Sequence, residues 1–195
     1  MAKSVVKSDE IVVGKIRLSF AKLENGTGEK TTDREGNEKM KYSAVLLIPK
    51  SDAALVAKVE KVLNETKVSF KSIFKKDPAT TPWKDGDETP YEEHHGCFTL
   101  NVSAVKDMGK QIPLLRKNAD GSYTELAKGE VYSGCYGYAA ISFADYEFNS
   151  KRGISCYINK FLKTSDGEVL GSAGMSNESA FGDIEVGEDE WGLMD

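Results

Sequence analysis

Residues Val131 to Phe148, VYSGCYGYAAISFADYEF, keep a period of two along their whole length, and that pattern constrains the chain more than any other. Successive side chains of a strand point to opposite faces, so the stretch reads as one long β-strand with two different chemistries. One parity carries Val131, Ser133, Cys135, Gly137, Ala139, Ile141 and Phe143, a small or apolar row suited to a packed interior. The other carries Tyr132, Gly134, Tyr136, Tyr138, Ala140 and Ser142, then Tyr146 and Phe148. Tyrosines separated by glycines present flat rings on open backbone, a surface on which planar groups stack. The competing reading is an ordinary tyrosine-rich sheet face covered by a loop.

Alternation recurs elsewhere. Ile11 to Leu23 places Ile16, Leu18 and Phe20 on one face and Lys15, Arg17 and Ser19 on the other. Lys39 to Ile48 sets Lys39, Lys41 and Ser43 opposite Met40, Tyr42 and Ala44. Cys97 to Ala104 and Ile154 to Leu162 complete five strands, two of them ahead of the only helix. That helix follows Pro49, with Ser51 or Asp52 as N-cap, and runs to about Lys67 or beyond. Leu55, Val59, Val62 and Leu63 form its apolar stripe. Two long segments, Glu24–Glu38 and the proline-broken Asp77–Gly96, read as loops, and residues 105–130 as lysine-rich loops around a short hairpin. Alternating rather than continuous apolar runs predict antiparallel pairing in a small, closed or partly open barrel.

Charge divides the chain. No lysine or arginine follows Lys163, whereas residues 164–195 carry nine acids. The body thus holds all 26 basic residues and the 22 acids that remain of 31, and a mildly basic body is tethered to an acidic tail. Outward positions offering Lys, Arg, Ser, Asn and Tyr fit a groove that holds phosphates with cations and bases with rings. The polar start, MAKSVVKSDE, lacks a signal-peptide core, and no apolar run is long enough for a membrane span, which predicts a cytoplasmic protein. Cys97, Cys135 and Cys156 are odd in number and widely spaced, as expected of small buried hydrophobes in a reducing compartment. His94, His95 and Cys97 lack the paired spacing of a zinc site, so neither metal nor cofactor is expected. No GxxxxGK[ST] or GxSxG motif occurs, and the chain reads as a non-enzyme.

Three separated segments carry a family resemblance. GKIRLSFAKL at Gly14–Leu23, KYSAVLLIPKSD at Lys41–Asp52 and the whole of residues 131–171 resemble, in this order, phage-encoded single-stranded DNA-binding proteins of the OB-fold type. The resemblance implies a mainly β fold: a five-stranded antiparallel OB-fold-like barrel with one packed helix, long loops and a disordered acidic C-terminal tail. Its domain would span 11–171, between a flexible N-terminus, 1–10, and the tail, 172–195. A generic OB fold, however, puts its helix after the third strand. The implied function is largely sequence-independent binding of single-stranded DNA in phage replication or recombination. Lys15, Arg17, Lys39, Lys41, Lys151 and Arg152 are the candidate phosphate contacts, and Tyr132, Tyr136 and Tyr138 the candidate stacking platforms. Each stacked base would contribute about 1–3 kcal/mol, and about four phosphate contacts would give a log–log salt slope near ~−3. Trp83 is a lesser candidate, since a loop tryptophan commonly anchors packing. In the tail, Glu185, Glu188, Asp189, Glu190 and Trp191 are expected to compete for the DNA groove and to recruit replication or recombination proteins. A homo-oligomer is compatible with this reading. The rival reading is a phage assembly module that uses the same surfaces without touching DNA.

Overall fold

The computed structural model describes residues 7–33, 35–148 and 151–171, and the tail residues named above lie outside them. Its elements run β1 (Ile11–Lys22), β2 (Glu29–Thr32), β3 (Glu38–Pro49), α1 (Ala53–Phe74), β4 (Trp83–Asp85), β5 (Cys97–Asp107), β6 (Leu114–Lys117), β7 (Tyr123–Glu125), β8 (Tyr136–Phe148) and β9 (Lys151–Ser165). Single 3-10 turns at Gly86–Glu88 and Glu92–His94 join β4 to β5.

Five strands close into a ring: β3 pairs β1, β1 pairs β8, β8 pairs β9, β9 reaches β5, and β5 returns to β3. The ring is not wholly antiparallel as expected. Val102 lies opposite Cys156 and Ser103 opposite Tyr157 in parallel. The reason is parity, because an odd number of strands cannot alternate direction all the way round a closed ring. The interior is filled by Leu18, Leu46, Leu100, Ile141, Phe143 and Phe161, all fully buried. Each such side chain contributes about 1.5–3 kcal/mol by leaving water.

The helix lies between the second and third ring strands, so the departure from the generic OB order is real. The Asp52 carboxylate caps it by accepting from the Leu55 amide at 3.0 Å. Val59, Leu63, Thr66 and Phe70 are its buried residues, and Phe70 extends the stripe far enough to carry VSFKSIFKK into the helix. Lys75, in the left-handed conformation, ends it.

The long tyrosine strand is shorter than its pattern predicts. Only Tyr136 onward is strand; Val131–Cys135 form a turn that includes Gly134 at φ 119°. A Cβ on Gly134 would stand 2.0 Å from the Glu168 carbonyl oxygen, so the two backbones meet where only glycine fits. Moreover, every residue from Ala139 to Ala144 is buried, so this part of β8 is covered on both faces rather than open on one. The segment Glu24–Glu38 contributes β2 to the edge of β3, and Asp77–Gly96 contributes β4 to β5.

Alternation breaks twice on β1. Lys15 (φ 57°) and Phe20 (φ 48°) are left-handed, and the register slips between Val13 and Ile16 against β8 and between Ser19 and Lys22 against β3. A bulge adds one residue and reverses the parity beyond it. Phe20, expected inside, is therefore 45% exposed; Ser19, ahead of that bulge, keeps the outer face expected of it but is buried there against His94.

Candidate nucleic-acid interface

The outer surface of β1, β3 and β5 falls into cross-strand rows. Arg17, Leu47 and Thr99 make one, Ser19, Val45 and Asn101 the next, and Lys22, Ser43 and Ser103 a third. Beyond these, Lys41 faces Val105 and Lys39 faces Asp107. The segment after β4 covers the first row and the β1 end of the second: Leu47, Thr99 and Ser19 are buried, with His94 lodged against Ser19. From Val45 and Asn101 onward the face carries small or polar side chains, and Asn101, Lys41 and Val105 are exposed.

An aromatic pair marks the boundary between the covered and open parts. The rings of Phe20 and Tyr91 meet edge to face at 5.0 Å and remain 45% and 43% exposed. His94 supports both, with ring centroids 5.8 Å from Phe20 and 5.1 Å from Tyr91. Its Nε2 shares a hydrogen bond with Ser19 Oγ at 3.0 Å and its Nδ1 one with Thr89 Oγ1 at 3.3 Å. Burial holds this imidazole below its ordinary pKa, so it is neutral at pH 7. A bulky side chain at positive φ is costly, and here the strain puts a phenyl ring into water.

Residues 9–191 match the family described as Enterobacter phage Enc34, ssDNA-binding protein. The chain belongs to this family. It is 29% identical over 191 residues to protein p50 of Acyrthosiphon pisum secondary endosymbiont phage 1, covering 93% of this chain and 97% of that one. The fold is similar to that of the single-stranded DNA-binding protein from bacteriophage Enc34 in complex with ssDNA (TM-score 0.64, 25% identity, 83% of this chain and 89% of that chain). It also resembles the fold of gp2.5, a single-stranded DNA-binding protein encoded by bacteriophage T7 (TM-score 0.50, 12% identity, 94% and 96% of the two chains).

In this member of the Enc34 family, the sequence-predicted residues do not share one surface. Arg17 donates from Nε to the Gly134 carbonyl at 3.2 Å and from Nη2 to the Glu168 carbonyl at 2.7 Å, with its guanidinium 5.5 Å from the Tyr136 ring centroid. It pins the turn before β8 to the segment after β9. Tyr136 packs close to Gly167, and Tyr132 donates from its hydroxyl to Asp166 at 2.9 Å beneath the Lys163 ammonium. Tyr138 lies over Gly14, where a Cβ would come within 2.0 Å of its ring, and lines a separate groove. Lys39 donates to Asp107 at 2.7 Å and lies 3.5 Å from Asp33; the Asp107 hydrogen bond raises its pKa. Lys15 and Lys41 are exposed. Arg152 rests on the Phe74 ring at 4.8 Å, at the far end of the β8–β9 hairpin; Lys151 opens β9, and its side chain lies outside the described residues. Trp83 stacks on Phe98 at 4.8 Å and packs against the core.

Phe20 and Tyr91 are the residues that sequence reasoning missed. Regular alternation assigns Phe20 to the interior, and nothing local marks a phenylalanine as left-handed. Tyr91 is brought to it across the fold by a loop that Trp83 and His94 anchor. Among the described residues no group of three or more His, Cys, Asp or Glu side chains is placed to hold a metal ion, and no helix is long and apolar enough to cross a membrane.

Proposed function

We propose that this protein binds single-stranded DNA, without catalysis and largely without regard to sequence, in phage replication or recombination. The observation that carries the reading is membership of a family of phage ssDNA-binding proteins over residues 9–191. The open face of β1, β3 and β5 is the best-suited surface: Phe20 and Tyr91 supply rings for bases, Asn101, Ser43 and Ser103 supply hydrogen bonds, and Lys22 and Lys41 take phosphates. Glu92 and Glu93 follow Tyr91 and repel phosphate, which sets the backbone on the lysine side of the rings. Lys22 gives up only a surface ion pair with Glu29, worth at most about 1 kcal/mol. Of the sequence-predicted residues, Lys15 and Lys41 serve as phosphate contacts, Arg17, Tyr132 and Tyr136 act by positioning, and Lys39 is held by Asp107.

The tail extends this function. Residues Glu185, Glu188, Asp189 and Glu190 compete with phosphate for the basic body, and Trp191 engages replication or recombination partners once DNA has displaced the tail.

Fluorescence anisotropy of a labelled oligothymidine, titrated with the full chain at two salt concentrations, tests the reading. Salt-weakened binding is expected, with a loss of about 5- to 150-fold on Phe20→Gly, the equivalent of one stacked base. Absence of binding at low salt sinks it and favours a phage assembly module. A chain ending at Gly182 is expected to bind more tightly; unchanged affinity and salt slope would refute tail competition.

A further inference from the structure

A second surface on the far side of the ring has the chemistry of a nucleic-acid track. β6 pairs in parallel with β9, Leu114 facing Phe161 and Arg116 facing Lys163, and β7 adds to β6. The sheet β1–β8–β9–β6–β7 thereby forms a groove of about 980 Å³. Four inter-strand spacings make it about 19 Å across, longer than a compact small-molecule site requires. Leu162, Leu115 and Val12 give it apolar walls, and two rings enter it, Tyr138 on β8 and Tyr123 on β7. Tyr123 is 59% exposed and Val12 51%, so this apolar surface is unspent by folding.

Its charge is one-sided. Arg116, Lys117, Lys160 and Lys163 line the groove against a single carboxylate, Asp166. Lys163 is spoken for, since it donates to the Glu130 carbonyl at 2.7 Å and pairs with Asp166 at 2.6 Å. Lys117 has no ion pair among the described residues, and Lys160 only a 3.9 Å pair with Glu10. Arg116, next to Lys117 on β6, turns to the other face of the strand, where it pairs with Glu130 beside Lys163. An exposed pair such as that of Lys160 is exchanged for a phosphate at little cost. Cations that track a backbone beside rings that accept any base face are the features of a sequence-tolerant single-strand site.

We propose that this groove holds a second segment of single-stranded nucleic acid, with bases on Tyr123 and Tyr138 and phosphates on Lys117 and Lys160. The proposal rests on the DNA-binding reading above and adds a contact on the other side of the ring from Phe20 and Tyr91. A strand long enough to engage both passes around the ring.

The test uses the full chain and an oligothymidine of about 20 nucleotides, above the site size of one OB fold, substituted with photoreactive 5-iodouracil. Crosslinks to Tyr123 or Tyr138 are expected in addition to those at Phe20 or Tyr91. The double variant Tyr123→Ala/Lys117→Gln alters only residues on the exposed hairpin, and it is expected to weaken binding about tenfold or more. Loss of one phosphate contact should also lower the log–log salt slope by about 0.7. Unchanged affinity with crosslinks confined to the Phe20 side overturns the proposal and leaves DNA binding standing. Tighter binding by the double variant assigns the groove to the chain's own acidic tail and equally overturns it. No binding by the unaltered chain removes the DNA-binding reading itself.

Discussion

β1 and β8 lie side by side in the ring and look alike as sequences, yet they keep their alternation to different degrees. On β8 the small or apolar parity, Ala139, Ile141 and Phe143, is buried as its pattern predicts. On β1 the pattern holds through Ile16 and Leu18, then reverses at Phe20. The difference comes from backbone conformation and not from side-chain chemistry. Left-handed residues at Lys15 and Phe20 each add a bulge, and each bulge turns the following side chains over. Neither lysine nor phenylalanine advertises that conformation, whereas Gly134, at the entry to β8, does.

The comparison is sharpest where one phenylalanine is removed from each strand. Phe143→Ala on β8 empties a fully enclosed site and is expected to cost about 3–5 kcal/mol, read as a lower denaturant midpoint at constant m. A loss below about 1 kcal/mol would mean that the interior of the ring is far looser than its burial indicates. Gly134→Ala comes next, at about 2 kcal/mol, because the added methyl meets the Glu168 carbonyl and the residue must keep a positive φ. Its thermal midpoint should fall, and the segment after β9 should exchange amide hydrogen faster. A neutral effect there would show that the corner pinned by Arg17 is not fixed.

His94 sharpens the β1 side through pH. Its folded pKa lies below the ordinary 6.5 because burial disfavours the imidazolium, so the unfolded chain binds the proton more readily. The stabilisation is therefore complete above about pH 6.5 and is lost as pH falls through the folded pKa. Denaturant titrations of the full chain and of His94→Gln between pH 7.5 and pH 5, a window of about one unit above and 1.5 below that value, should converge as the pH drops. Parallel curves would remove His94 as a titrating support. The smallest effect is a near-cancellation. Phe20→Gly relieves a left-handed phenylalanine but also removes a ring half-buried against Tyr91 and His94, so the net change in stability should stay within about 1 kcal/mol of zero. A clear destabilisation would show that Phe20 is a packing residue after all.

Much of the architecture is legible in the residues because it rests on local periodicity. The 3.6-residue stripe of Val59 and Leu63 and the Asp52 cap mark the helix, and period-two alternation marks the strands. The basic body, the acidic tail and the order of the three segments led to a family that the match over residues 9–191 bears out. The placement of the rings was not legible, since a hydroxyl such as that of Tyr132 looks available until Asp166 is seen to accept from it.

The sequence by itself determined a mainly β chain with one capped helix, a charge division at Lys163 and its family, because these depend on residue type and spacing alone. Tertiary structure alone decided that the ring closes through a parallel pair, that Tyr132 and Tyr136 are engaged in a corner by Asp166, Gly167 and Arg17, and that Phe20 meets Tyr91 in the open. Those outcomes depend on bulges, ring closure and contacts between residues far apart in the chain, and such long-range constraints leave no trace in local periodicity.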